Sequence, residues 1–373
     1  MFGGFRAPAR TYLDYAASAP LRPSAKAKMV ELLDLFGNPS SIHAEGQAAR
    51  MELDQNRRTI ADILGVRAER VVFTSGGTEA NNLCLRGITS LSSGKRLLVS
   101  AIEHDCVRNT GKVLGADEIP VDSGGLVRLD WLRDELAKGD IGLVSVMHAN
   151  NENGILQPIE AVAAMCKAAD VPFHTDAVQT VGHLPLDVDA LGADLLTFTA
   201  HKFGGPRGVG VVVLKPELDM VAAITGGAQE RNRRAGTENL AAIGGAASAL
   251  AEAVANMDVE RTRARQFNAS VCAAAEAMGL TVVGKDSPRV EHVMQLITLK
   301  NGSDVVIGMD LKNVAISQGS ACGSGKVKES HVLRAIGYDA ASASKAVRLS
   351  WGWATTEADI QTGLTALQSV VGR

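Results

Sequence analysis

Short apolar runs alternate with helix-like stretches along the first two-thirds of the chain. Runs rich in β-branched residues predict strands at VVFTS (71–75), RLLVS (96–100), GLVSVMH (142–148), VPFHTD (171–176), DLLTFT (194–199) and GVGVVVL (208–214). Several of these runs are apolar throughout, which is typical of strands covered on both faces. Between them lie segments such as IEAVAAMCKAA (159–169), whose apolar residues recur at helical spacing. The alternation predicts an α/β fold with a mainly parallel sheet and right-handed crossovers.

The pattern changes near residue 240. The alanine-rich stretch LAAIGGAASALAEAVANM (240–257) predicts a long helix, and the residues after it predict a smaller α/β unit. We therefore predict a large domain over residues 15–256 and a small domain formed by residues 1–14 and 257–373. A chain of 373 residues is long enough for two such domains.

Composition narrows the class of protein. The hydrophobic fraction of 46% and the charged fraction of 21% are those of a soluble globular protein, and a net charge of -3 gives no reason to expect nucleic acid or an anionic membrane as partner. No apolar run approaches the roughly 18 residues of a membrane span, and MFGGFRAPAR lacks the apolar core of a signal peptide. Five scattered cysteines without a C-x-x-C pair disfavour a disulfide framework and a thiolate zinc site. We expect a cytoplasmic protein without a metal.

The segment VVFTSGGTEANN (71–82) predicts a strand, a glycine turn and a helix start. Glycine lets the backbone approach a ligand, the free N–H groups of a helix start attract phosphate, and the Thr78 hydroxyl can add a bond. The spacing is neither that of the P-loop nor that of the dinucleotide fingerprint. A capped helix after a tight turn explains the same pattern without a ligand.

Two other predicted strands end on charged residues. Asp176 follows an apolar strand in FHTDAVQT (173–180), where a carboxylate either caps the next helix or holds a protonated ring nitrogen. Lys202 lies between a strand and a glycine-rich loop in TFTAHKFGGPRGVG (197–210). It is either a surface lysine or a desolvated amine that attacks aldehydes, with Thr199 and His201 as donors suited to phosphate beside it.

Together, these segments follow the order of a pyridoxal 5'-phosphate (PLP) site: a phosphate cradle, a partner for the ring nitrogen and a lysine for the aldehyde. Here the chain resembles the cysteine desulfurases of the NifS/IscS type, which belong to the class V aminotransferases and to the PLP-dependent transferases of fold type I. The motifs that carry the resemblance span nearly the whole chain: YLDYAASAP (12–20), FGNPSSIH (36–43), SGGTEANN, EH (103–104), HANNENG (148–154), HTDAVQT, TAHK, RRAGTEN (233–239), GSAC, SHVLRAIG (330–337) and VRLSWG (347–352).

The resemblance implies roles around the cofactor ring. Lys202 would hold the aldehyde as an imine and move the Cα proton of the substrate. Asp176 would pair with the ring nitrogen, and Gln179 would hydrogen-bond the phenolic oxygen. His104 would stack on the ring and take part in proton transfer. A strand-end cap is the alternative for His104.

The resemblance also implies ligands for the phosphate and for the substrate. The phosphate would be held by residues of one subunit, Gly77, Thr78, Thr199 and His201, and by Thr237 of the neighbouring subunit in a homodimer. Asn151 and Arg348 would bind the substrate carboxylate, Arg348 through its forked guanidinium. A surface cation is the alternative for Arg348.

The run SQGSACGSGK (317–326) surrounds Cys322 with glycine and serine, which cannot pack around a buried thiol. From the residues alone, it is a phosphate cradle, a metal ligand, a disulfide half or a thiol on a mobile arm. The resemblance implies that Cys322 takes the sulfur of L-cysteine as a persulfide, that L-alanine leaves, and that an acceptor such as an iron–sulfur cluster scaffold receives the sulfur. This role predicts a weakly ordered segment.

Two alternatives remain. A selenocysteine lyase or an aminotransferase-like enzyme would use the same cofactor residues with less need of Cys322. A scaffold without cofactor would keep the fold and recruit assembly partners, but Lys202, Asp176 and His104 together disfavour it.

Overall fold

We describe a computed structural model of the chain, which covers residues 10–319 and 329–372. Cys322, and with it the prediction for its segment, lies outside these described residues. The strands are β1 (Thr11–Tyr12), β2 (Val71–Thr74), β3 (Arg96–Ser100), β4 (Asp117–Ile119), β5 (Ile141–Ser145), β6 (Phe173–Asp176), β7 (Leu195–Thr199), β8 (Gly210–Leu214), β9 (Thr281–Val282), β10 (Val293–Ile297), β11 (Val314–Ala315), β12 (Ser317–Gln318) and β13 (Ala346–Ser350).

Helices connect and cover these strands. They are α1 (Pro23–Leu33), α2 (Ala44–Ile63), α3 (Gly77–Thr89), α4 (Asp105–Val113), α5 (Leu129–Leu136), α6 (Ile159–Ala168), α7 (Val188–Leu191), α8 (Leu240–Ala255), α9 (Met257–Ala277), α10 (Gly302–Asp310), α11 (His331–Ile336), α12 (Ala340–Ala343) and α13 (Glu357–Val371).

A large sheet forms the centre of the molecule, with strand order β2-β8-β7-β6-β5-β3-β4. The pairs from β7 to β4 are parallel, and every residue of β2, β5, β6, β7 and β8 is buried, as the continuous apolar runs indicate. The predicted α/β fold with a mainly parallel sheet is confirmed.

One strand runs against the others. The predicted strand over residues 208–214 is present, but β8 is antiparallel to both β7 and β2 in this mainly parallel sheet. A parallel crossover needs a dozen or more residues, and the connection over residues 200–209 is shorter than that. The chain therefore turns back after Lys202, and the first residue of β8 lies beside the last residues of its neighbours.

Helix α8 packs closely on α1. A Cβ on Gly244 would lie 2.2 Å from Leu32 Cδ1, and one on Gly245 would lie 2.6 Å from Met29 Cγ, so a larger residue at either position would displace these side chains of α1. Of the helices in the described residues, none alone has the length and apolarity to cross a membrane. Only α8 and α9 taken together, which meet at 70°, reach that length and apolarity.

A second sheet has the order β12-β13-β10-β9 and is antiparallel. Arg348 lies on β13, opposite Gln295 of β10. Near the start of the chain, β1 pairs with β11 and Leu13 packs among buried side chains of this second unit, such as Leu349. The two sheets lie on either side of the predicted domain division; the boundaries at residues 15 and 256 stay predictions.

Candidate active site

The carboxyl ends of β2, β3, β5, β6 and β7 open onto one pocket, as expected for an open α/β sheet. Many of the predicted site residues lie on its wall: Gly77, Thr78, His104, Asn151, Asp176, Gln179, Thr199, His201 and Lys202. The wall also contains Asn81, Cys106, Met147 and Val178. Residues far apart in the sequence therefore form one site.

Lys202 ends a short 3-10 turn that directly follows β7. Its Nζ donates to the carbonyl oxygens of Ala16 at 2.5 Å and Ala17 at 3.1 Å. Burial lowers the pKa of Lys202 to about 8, with help from the positive charge of Arg348 and against the charges of Asp176 and Asp14. A larger share of this amine is thus neutral near pH 7 than of an exposed lysine, as nucleophilic attack requires.

Asp176 ends β6 and is held by two donors. Its Oδ1 accepts from the Val178 backbone N–H at 2.9 Å, and its Oδ2 accepts from Asn81 Nδ2 at 2.7 Å. Asn81 is fully buried, and its Oδ1 accepts from the Thr197 hydroxyl at 2.5 Å, which fixes the orientation of the amide. These hydrogen bonds fix the orientation of the Asp176 carboxylate at the pocket wall.

The position of Asn81 was not predicted as part of the site. It lies in SGGTEANN, one helical turn after Gly77 on α3, so both residues share a helix face. This spacing of four residues could have identified Asn81 from the sequence. A helix that begins at the pocket with Gly77 also brings the same face of its next turn close to the pocket.

His104 is the N-cap of α4 and contacts Cys106. Its Nδ1 accepts from the Cys106 backbone N–H at 3.2 Å and lies 3.0 Å from Cys106 Sγ. Burial raises the pKa of the Cys106 thiol to about 12, so the thiol stays protonated. Burial also lowers the pKa of His104. A neutral ring that accepts at Nδ1 carries its proton on Nε2, so this imidazole is available as a donor there.

Helix α3 begins at the pocket with Gly77. Among the described residues no side chain caps this helix, whose N-cap is Gly76. A Cβ on Gly210, the first residue of β8, would lie 2.4 Å from the Gly76 carbonyl carbon and oxygen, so glycine is required where β8 passes the turn. The uncapped helix start suits an anion.

Two predicted phosphate ligands lie beside this helix start. The Thr199 hydroxyl donates to the Val209 carbonyl at 2.7 Å, and His201 Nδ1 lies 3.3 Å from Ser18 Oγ. Burial, aided by Lys202 and Arg207, lowers the pKa of His201 to about 4, so the ring is neutral. The Thr199 hydroxyl therefore already donates its proton to the backbone, and a neutral His201 can donate from only one ring nitrogen.

Arg348 reaches the site from the second sheet. Its Nη1 donates to the Asn151 carbonyl at 2.9 Å and its Nη2 to Asp14 Oδ1 at 2.7 Å. Within the described residues the buried Nε has no partner. Arg348 thus contacts the Asn151 backbone but is not on the pocket wall, and its contact with Asp14 was not predicted.

Comparison with known proteins gives the family. The family model described as aminotransferase class-V matches residues 11–362. The chain belongs to the class V aminotransferase family. It is 39% identical to the Dictyoglomus turgidum protein named cysteine desulfurase IscS, covering 96% of this chain and 94% of that protein. It is 36% identical to the IscS-like cysteine desulfurase of Mycobacterium tuberculosis, covering 97% and 96%.

Solved structures of this class V group are similar along the whole chain. A NifS-like protein superposes with a TM-score of 0.91 at 30% identity, covering 97% of this chain and 99% of that one. A NifS-like protein from Rickettsia africae superposes with a TM-score of 0.89 at 30% identity. The resemblance to the NifS/IscS type is confirmed.

Class V aminotransferases depend on PLP, and the pocket fits that cofactor. An uncapped helix start faces the pocket at one place, a buried and oriented carboxylate at another, and a lysine with a lowered pKa at a third. These match the charges and the aldehyde of the cofactor. In the described part of the chain, no three His, Cys, Asp or Glu side chains are grouped to hold a metal ion.

Thr237 is exposed and does not line the pocket of its own subunit. Cys322 lies outside the described residues. These two assignments, like those of the other site residues, stay predictions.

A second carboxyl group near the site was also not predicted. Glu152, in HANNENG, is 3% exposed, and its Oε2 accepts from Ser330 Oγ at 2.5 Å and from Gln295 Nε2 at 3.1 Å. Burial, aided by Asp105, raises the pKa of Glu152 from 4.5 to about 7, against these hydrogen bonds and the charge of Arg348. Its proton is therefore bound more tightly in the folded protein than in the unfolded chain.

Replacing Glu152 with glutamine should change how stability depends on pH. Because folding raises the pKa of Glu152, this group contributes stability that is fully present below 4.5, its pKa in the unfolded chain. That stability is lost as pH rises through about 7, its pKa in the folded protein. We expect the unfolding free energy of Glu152→Gln, relative to the native chain, to rise by about 3 kcal/mol between pH 4.5 and 8. Urea unfolding across this range measures it, with the exposed Glu217→Gln as control. A constant difference between variant and native chain would contradict this role of Glu152.

Proposed function

We propose that the chain is a PLP-dependent cysteine desulfurase, which converts L-cysteine to L-alanine and transfers the sulfur to Cys322 as a persulfide. The observation that carries the proposal is the meeting of Lys202, Asp176 and His104 in one pocket, each at or just past the end of a different strand. The names of the relatives, at up to 39% identity over almost the full length, support the same activity.

Bound PLP would supply an electron sink for the bonds at the substrate Cα and Cβ. Lys202, with its lowered pKa, would link to the aldehyde and move the Cα proton. Asp176, oriented by Asn81, would keep the ring nitrogen protonated, and Gln179 would donate to the phenolic oxygen. His104, with its proton on Nε2, would face the ring and take part in proton transfer.

The remaining residues would hold the two anions. Gly77 and Thr78 at the start of α3 would bind the phosphate with His201 and with Thr199, whose hydroxyl would first leave the Val209 carbonyl. Thr237 of a second copy would complete the cradle in a homodimer. Asn151 and Arg348 would bind the substrate carboxylate, which requires one Nη of Arg348 to leave Asp14. A carboxylate that receives two parallel bonds from the guanidinium would offset the loss of that ion pair.

We infer that the persulfide sulfur passes to an acceptor protein, such as a scaffold for iron–sulfur clusters or thio-cofactors, in the cytoplasm. No nucleic acid or membrane is needed for this chemistry. A selenocysteine lyase or an aminotransferase-like activity is the alternative, since the same pocket would serve both.

Product analysis of the purified native chain tests the proposal. With L-cysteine and a thiol reductant, we expect alanine and sulfide in equal amounts, together with the visible absorbance of lysine-bound PLP. Parallel reactions with L-selenocysteine, and with L-alanine plus a keto acid, test the alternatives. Formation of a keto acid from L-cysteine, or turnover of L-selenocysteine alone, would reject the desulfurase.

A further inference from the structure

Three consecutive residues before the RRAGTEN motif have left-handed backbone conformations. Glu230, Arg231 and Asn232 have φ values of 46°, 54° and 63°. Residues other than glycine visit this region singly, because each pays about 1–2 kcal/mol for the crowded Cβ. A run of three persists only where the surroundings impose it, and such strain is common beside functional sites.

A buried ion pair holds the first of these residues. Glu230 is 4% exposed, and its two carboxylate oxygens accept from Arg57 Nη1 and Nη2, each at 2.7 Å. Arg57, on α2, is itself 5% exposed. The paired, parallel bonds fix both the position and the orientation of the carboxylate.

The same pair binds the outer edge of the large sheet. Strand β2 is an edge strand that pairs only with β8 among the described strands. On its free side, Arg57 Nη1 donates to the Val71 carbonyl at 2.7 Å, and the Phe73 N–H donates to Glu230 Oε2 at 2.9 Å. The ion pair therefore replaces a neighbouring strand and ties Glu230 to the element that leads into the Ser75–Gly77 turn.

Further contacts hold the loop that follows, residues 233–239. Arg234 Nε donates to Glu79 Oε1 on α3 at 2.8 Å, and the Gly236 N–H donates to the Gln229 side chain at 3.1 Å. Beyond these anchors, Thr237 is exposed and does not line its own pocket. The loop is thus fixed at its base while Thr237 points to a surface.

We propose that the Arg57–Glu230 ion pair is a positioning device, which holds the strained turn so that the loop 233–239 presents Thr237 to the phosphate site of a second copy of this chain. The inference rests on the proposed function, in which Thr237 acts across a homodimer. Glu230 touches neither cofactor nor substrate; it acts through the backbone that carries Thr237.

The variant Glu230→Gln keeps the shape and an acceptor for the Phe73 N–H but removes the charge that binds Arg57. We expect the Kd for PLP to rise about tenfold or more, because the phosphate would lose the hydrogen bond from Thr237 of the second copy. A hydrogen bond to a charged group contributes about this much to affinity. Equilibrium dialysis measures it, with the exposed Glu217→Gln as a control that binds as tightly as the native chain. Arg57→Lys, which keeps a charge but loses the fork, serves as the second variant if Glu230→Gln does not purify folded.

Mixed dimers separate positioning across the interface from a structural role within one subunit. Glu230→Gln subunits are mixed with Lys202→Ala subunits, and PLP is fixed to lysine with borohydride. Only the Glu230→Gln subunit can carry the added mass, and in a mixed dimer its pocket receives Thr237 from a partner with an intact ion pair. We expect labelling at limiting PLP, counted per subunit that carries Lys202, to return to the native level. Partners that carry both Lys202→Ala and Thr237→Ala should not restore it.

The labelling results decide whether the ion pair positions Thr237 across the interface or acts only within its own subunit. Restored labelling with the first partner and none with the second supports the positioning role. No restoration with either partner, or native PLP affinity in both ion-pair variants, overturns it. If the native chain itself takes up no PLP at Lys202, the proposed function fails instead.

Discussion

Replacing Lys202 with alanine should lower kcat for alanine formation by at least about 10³-fold, because one change removes both the nucleophile for the aldehyde and the base for the Cα proton. The buried position supports this size of effect. Nζ is within hydrogen-bond reach of two carbonyl oxygens at the pocket and has a pKa of about 8, and a water molecule in its place could not form the covalent link. The visible absorbance of the lysine-bound cofactor should also vanish.

The matched control is Lys215→Ala. Lys215 is also half-buried and pairs with Asp194 at 2.8 Å, but it follows β8 at the opposite end from Gly210. Its loss should leave absorbance and turnover near the native level. Turnover of Lys202→Ala within tenfold of the native chain would contradict the assignment of Lys202.

Replacing Cys322 with alanine should abolish sulfide release from L-cysteine while PLP stays bound and linked to Lys202. The described residues that orient Asp176 and hold Lys202 do so through contacts with one another, so we expect cofactor binding to survive the loss of Cys322. Cys106, a thiol on the pocket wall, cannot take over, since burial holds its pKa at about 12 and the thiolate is the nucleophile.

Mass spectrometry of the protein after exposure to L-cysteine gives the direct readout. The native chain should gain one sulfur on Cys322, and Cys322→Ala should gain none. Cys272→Ala, a half-buried cysteine on α9, is the control and should behave as the native chain. Unchanged sulfide release from Cys322→Ala would reject the persulfide role.

Much of the fold and site followed from local patterns. Continuous apolar runs predicted the buried strands, and the order of a phosphate cradle, a carboxylate and a lysine indicated that Asp176 and Lys202 belong to one site. The antiparallel direction of β8 was not predicted, although the loop before it, residues 200–209, is too short for a parallel crossover.

Contacts between distant segments were not predictable in the same way. The Asp14–Arg348 pair joins the two ends of the chain, and Glu152 meets Ser330 across a long separation. No periodicity or motif spacing encodes such a pair, because each partner is an ordinary polar residue in its own segment. The same holds for Arg57 and Glu230, whose charges meet only after α2 and β2 have packed.

The strand order also bears on how the chain folds during synthesis. Strands β3, β5, β6 and β7 pair with neighbours made shortly before or after them, but β2 pairs only with β8 among the described strands. The second unit is completed later still, because Asp14 pairs with Ser350, the last residue of β13. A nascent chain released before residue 214 would expose the backbone of β2, so slow folding and aggregation of truncated products are the natural cost of this topology.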